Sequence, residues 1–141
     1  MLGAKIVAEA RTWIGTPWHH QGCVKGVGVD CIGLVKNVFE TVTGVCVDVE
    51  TNYHRMPQAG RESRILEGLS KYAIEVDKCK LQVGDVLLFH FLSGLSNHVG
   101  IFSGDGQFIH AWLDVGKVVE MPLAGAWERA LKTVFRIPEE Q

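Results

Sequence analysis

The sequence predicts an α+β domain in which N-terminal helices pack on an antiparallel sheet of five to six strands. Three observations carry this. Through residue 73 apolar residues recur at helical spacing; from Leu81 the period falls to two, with β-branched and aromatic residues enriched. The later segments are joined by short glycine turns rather than crossover helices, so neighbouring strands run antiparallel.

The elements follow in order. A first helix over 4–14 places Ile6, Val7, Ala10, Trp13 and Ile14 on one side, and Gly15-Thr16-Pro17 stops it. Residues 15–29 read as loop, with five glycines or prolines and the adjacent His19 and His20. A second helix starts at Asp30, runs its apolar face through Leu34, Val35, Val38, Phe39 and Val42, and closes at Gly44. A weaker third helix covers 61–73 through Ile65, Leu66, Leu69 and Tyr72, while 46–60 fits no regular pattern. Strands are expected at 85–91, 97–103, 107–112, 117–121 and 132–137, with turns at Gly104-Asp105-Gly106 and near Val115-Gly116-Lys117.

A chain of 141 residues reads as one domain, 1–141, large enough to build a core without staples. It is 47% hydrophobic and 21% charged, with a net charge of −2 and no basic run. That composition gives no reason to expect nucleic acid or an anionic membrane as partner. No apolar run approaches the roughly 20 residues of a membrane span. Lys5, Glu9 and Arg11 interrupt the first apolar residues, so no signal peptide is expected and the chain is made in the cytoplasm. Cys23, Cys31, Cys46 and Cys79 lie 8, 15 and 33 residues apart, which matches no zinc motif, and they read as reduced thiols.

Cys31 stands apart in the stretch GVGVDCIGLVKNVFE, 26–40, at the entrance of the second helix. Unsatisfied N–H groups and the positive end of the macrodipole stabilise a thiolate placed there. Asp30 can cap the helix, and the N–H at Cys31 can help hold an oxyanion. The same cysteine can equally begin an apolar stripe, and this stretch alone leaves both readings open. A nucleophilic thiol also needs a base.

His98 and His110 supply candidates. If 104–106 is a three-residue hairpin loop, Ser103 opposes Gln107, so Gly100 faces His110 and His98 faces Trp112. The two histidines then become diagonal neighbours on one sheet face, with Gly100 leaving space between them. A two-residue turn would shift the register by one and send them to opposite faces. With both on one face, His98 is a candidate base for Cys31 and His110 a candidate orienter of His98, the logic of a catalytic triad.

DCIGLV at 30–35, NHVGIF at 97–102 and FIHAW at 108–112 resemble the three catalytic blocks of NlpC/P60 cysteine peptidases. GTPWHHQG at 15–22 and GDVLLF at 84–89 are similar to the segments preceding the cysteine and the histidine in that family. The resemblance implies a papain-like fold, with Cys31 as nucleophile, His98 as base and His110 as the polar third member. It also implies a substrate, the stem peptides of peptidoglycan, cut commonly between D-glutamate and diaminopimelate through an acyl-enzyme. Trp18 falls where many members carry a substrate-side tyrosine, and His19, His20 and Asp30 are the other candidate substrate-binding residues. Ile32 stands where most bacterial members have serine, and GVGVDCIGL is closer to versions from phage tails and phage-like particles. The expectation is therefore a tail-associated peptidase with tail proteins as partners, a virion component acting in the periplasm or cell wall.

No cofactor and no metal is expected. His19, His20 and Cys23, or His98 with His110, could be assembled into a zinc site, but no motif spacing supports it. Two further readings remain: a structural tail subunit that keeps the fold, and an amidase or acyltransferase in which the thioester passes to an amine.

Overall fold

The computed structural model describes residues 2–46, 71–90 and 98–139. Helix α1 spans Leu2–Arg11 and buries Ile6, Val7 and Ala10. It ends three residues short of the expected bound because the next turn tightens. Thr12, Trp13 and Ile14 donate their N–H groups to Glu9, Ala10 and Arg11, three residues back, and the Thr12 hydroxyl also donates to the Glu9 carbonyl. Trp13 stays buried while Ile14 is left exposed.

The region expected to be loop contains a small hairpin, β1 (Cys23–Val24) with β2 (Gly28–Val29). Helix α2 then spans Cys31–Thr43. Asp30 caps it by accepting from the Gly33 N–H at 2.9 Å, and Gly44, at φ 77°, ends it with its N–H on the Glu40 carbonyl. Cys31, Leu34, Val38 and Phe39 form its buried stripe. Lys71 and Tyr72 are helical; the rest of the expected third helix, and the 46–60 segment beyond Cys46, lie outside the described residues.

Six antiparallel strands follow: β3 (Ile74–Val76), β4 (Val86–Phe89), β5 (His98–Gly104), β6 (Gln107–Trp112), β7 (Lys117–Pro122) and β8 (Leu131–Arg136). Their order in the sheet is β3-β8-β4-β5-β6-β7. The edge strand β3 was not expected, nor was the short helix α3 (Ala126–Ala130) before β8. Among the described residues this is the α+β architecture, a six-stranded sheet beside the small β1–β2 hairpin.

Helices α1 and α2 pack on one side of the sheet. Ile6, Ala10, Leu34 and Val38 meet Val86, Leu88, Val99, Ile101, Ile109 and Val118 in one buried cluster. Side chains alternate along a strand, so His98, Phe108 and His110 fall on the opposite side. A second cluster of Leu87, Phe89, Phe108, Leu131 and Val134 fills that side, with Met121 and Trp127 packed against it. A half-buried bidentate pair ties β8 to the start of β4. Arg136 donates from Nε to Asp85 Oδ1 at 2.9 Å and from Nη2 to Oδ2 at 2.8 Å. Among the described residues no helix is long and apolar enough to cross a membrane.

Candidate active site

The β5–β6 hairpin sets the site, and its turn differs from expectation in an instructive way. The loop has two residues, Asp105 and Gly106, closed by Gly104 opposite Gln107. Both loop residues have positive φ, 54° and 71°, as a type I′ turn requires. Taken alone, that turn would send the histidines to opposite faces. A bulge between Phe102 and Gly104 takes up one residue, so Phe102 opposes Phe108 and Ile101 opposes Ile109. The register expected for the body of the hairpin is thereby restored.

His98 and His110 consequently meet. His98 Nε2 lies 2.7 Å from His110 Nδ1, with the rings edge-on at 4.9 Å between centroids. Gly100 makes room for this. A Cβ there would come within 3.1 Å of the Ile109 carbonyl and the Phe108 ring and 3.2 Å of the His110 Cβ. His98 is 5% exposed and His110 fully buried. Burial pushes the His110 pKa down to about 3, so its ring is neutral at physiological pH. Its far nitrogen, Nε2, lies 3.1 Å from Met121 Sδ.

Aromatic rings enclose the pair. Trp112 stands edge-on to His98 at 4.9 Å, and Trp127 edge-on to His110 at 4.8 Å, and the two tryptophans meet at 4.9 Å. Sequence reading missed Met121 and Trp127. For Met121 a signal existed: a four-residue turn at 113–116 makes Phe108 oppose Met121, one diagonal step from His110. Trp127 sits on a five-residue helix, too short for its face to be read from periodicity.

Cys31 opens α2, which packs on β5 and β6, the two strands carrying the histidines. It is 5% exposed and carries no disulfide, whereas Cys23, Cys46 and Cys79 are exposed. Asp30 fixes the approach to it. One carboxylate oxygen caps α2, and the other accepts the Gln21 N–H at 2.8 Å. At 3% exposure this carboxylate organises backbone through both of its oxygens. Gly33 assists, since a Cβ there would collide with the Gly22 carbonyl and push the preceding loop off the helix.

The remaining candidates lie in that loop. Trp18 bridges to Val29, two residues before Cys31, and donates its N–H to the Gly116 carbonyl at 2.8 Å. Its half-buried ring stacks on His20 with centroids 6.5 Å apart. His19 is exposed, with Nδ1 3.0 Å from the His20 carbonyl. Among the described residues no group of three or more His, Cys, Asp or Glu side chains is placed to hold a metal ion.

The family model described as "NlpC/P60 family" matches residues 15–136. The "Probable endopeptidase NlpC homolog" of Haemophilus influenzae is 27% identical over 138 residues, which cover 97% of this chain and 64% of that protein. The "Murein DD-endopeptidase MepS/Murein LD-carboxypeptidase" of Escherichia coli K12 is 23% identical over 134 residues, 95% of this chain and 62% of that one. This chain thus spans somewhat under two thirds of the length of these relatives. Among solved structures, the NlpC/p60 domain of the peptidoglycan hydrolase SagA superposes with a TM-score of 0.67 at 27% identity. That match covers 96% of this chain and 98% of the SagA domain.

Proposed function

This chain belongs to the NlpC/P60 family, and from that premise we propose that it is a cysteine peptidase cleaving peptidoglycan stem peptides through an acyl-enzyme at Cys31. The observation that carries the reading is the buried 2.7 Å contact of His98 with His110 itself. Two imidazoles held nitrogen to nitrogen, one with its charged form suppressed, suit a base and its orienter better than core packing.

The chemistry then runs through this chain's own atoms. Cys31 Sγ attacks the scissile carbonyl carbon as its proton passes to His98 Nδ1, the ring nitrogen turned away from His110. The oxyanion is held by the N–H at the entrance of α2. The tetrahedral species collapses to a thioester, and the leaving amine takes the proton back from His98. Water, deprotonated by His98, attacks the thioester carbonyl; collapse releases the new carboxyl and returns the proton to Cys31.

Two finer readings belong to the same proposal. The bond is the one between D-glutamate and diaminopimelate, with the stacked Trp18–His20 pair as a wall of the substrate cleft beside the nucleophile. The working place is a phage or phage-like tail. Support for that is confined to the GVGVDCIGL stretch with Ile32 after the nucleophile, since the relatives named above are bacterial proteins.

Digestion of purified peptidoglycan and defined muropeptides, followed by mass analysis, tests the proposal. Wild type should release fragments ending in D-glutamate, and Cys31→Ala should release none while keeping its melting temperature. Undiminished digestion by Cys31→Ala would refute the peptidase reading. An inert wild type would favour a structural subunit, and cleavage at a D-Ala bond would replace the bond assignment.

A further inference from the structure

The geometry points to Met121 as a positioning residue that fixes the tautomer of His110 and, through it, the tautomer of His98. The thioether sulfur carries no proton and can only accept. It sits 3.1 Å from His110 Nε2, so that nitrogen is the one to carry the ring's N–H. A neutral imidazole has a single N–H, and burial keeps His110 neutral. Its Nδ1 is therefore bare, and the 2.7 Å contact must be a hydrogen bond donated by His98 Nε2. With its proton on Nε2, neutral His98 presents a bare Nδ1, the form a base for Cys31 requires.

The opposite arrangement is worse at both ends. If His110 carried its proton on Nδ1, a lone pair on Nε2 would face the sulfur lone pairs at 3.1 Å. His98 would then accept at Nε2 and hold its proton on Nδ1, where a base must be empty. Trp127, edge-on to His110 at 4.8 Å and tilted against His98 at 5.5 Å, shields the pair on another side, and among the described residues the Met121 sulfur is the partner of His110 Nε2. The fold delivers it by register: Met121 opposes Phe108 across β6–β7 and reaches diagonally to His110, which itself opposes Val119.

The catalytic consequence rests on the peptidase reading; the tautomer assignment does not. Long-range proton–nitrogen correlation spectra of the ¹⁵N-labelled full chain near pH 7 read each ring nitrogen without substrate. Wild type should show His110 protonated at Nε2 and His98 protonated at Nε2. Met121→Leu keeps the volume but removes the acceptor, and should move the His110 nitrogens toward tautomer-averaged shifts. The same variant should lower kcat by about three- to tenfold with little change in KM, the scale of one ordinary hydrogen bond. Met121→Gln, which restores an acceptor oxygen, should recover both the shifts and the rate. His110 protonated at Nδ1 in wild type would overturn the inference. So would a Met121→Leu variant with a lower melting temperature but unmoved nitrogen shifts, because Met121 would then only fill space. An inert wild type with the expected shifts would defeat the peptidase reading and leave the tautomer assignment standing.

Discussion

His110→Asn separates the electrostatics of the buried pair from its hydrogen bonding. The Asn oxygen falls close to where His Nδ1 lies, so it can still accept from His98 Nε2, but it cannot titrate. In the fold His110 has its pKa lowered to about 3 from the ordinary 6.5 by desolvation. The unfolded chain therefore binds one more proton than the folded chain between those values. The corresponding stability is complete above about pH 6.5 and drains away as pH falls toward 3. One pKa unit is worth about 1.4 kcal/mol, so lowering the pH from 7 to 4.5 should cost wild type roughly 2.5 kcal/mol through His110 alone. Urea denaturation at the two pH values measures it. Other groups titrate in both proteins, so the quantity to compare is the difference between their losses. His110→Asn should lose about 2.5 kcal/mol less than wild type over this interval. Equal losses would mean that His110 protonates in the fold as readily as in water, and the neutral orienter would have to be abandoned.

Two further substitutions probe how the site is held. Asp30→Ala removes the α2 cap and the Gln21 contact together, and should cost about 1–2 kcal/mol in denaturant titration. The same change should lower turnover as the loop before Cys31 loosens, and a variant with unaltered stability would show the cap to be idle. Asp85→Ala leaves the Arg136 guanidinium with the Lys80 carbonyl in place of its carboxylate partner and orphans the Gln82 N–H at the start of β4. A buried pair broken on one side costs about 3–5 kcal/mol, and with Arg136 partly exposed we expect about 2–3. A melting temperature within a degree of wild type would contradict the expectation.

What could be read from the sequence was what local chemistry decides. Asp30 and Gly44 mark α2 because a capping carboxylate and a left-handed glycine act within a few residues of themselves. Short β-rich apolar runs between turn signals located β4 to β8, because strands covered on both sides of the sheet, as VLLF of β4 is, stay apolar throughout. The hairpin shows the limit. Counting loop residues gave the correct histidine register through a three-residue loop, whereas the chain uses a two-residue turn and a bulge at Ser103. β3 escaped because Ile74 and Glu75 are both exposed on an edge strand, and α3 because five residues carry no period. Met121 reads as an ordinary apolar strand residue until the β6–β7 register sets it against His110.

The most direct test of the central claim is the order in which the four thiols react. Iodoacetamide applied to the native chain near neutral pH, with peptide mapping over time, reads it. Accessibility alone ranks the buried Cys31 last, behind the exposed Cys23, Cys46 and Cys79. A thiolate at the entrance of α2, with His98 as its proposed base, ranks it first. The account predicts that Cys31 is labelled ahead of the others, and that His98→Ala slows Cys31 while leaving the other three unchanged. Labelling of the three exposed cysteines first, with Cys31 indifferent to His98→Ala, would contradict it.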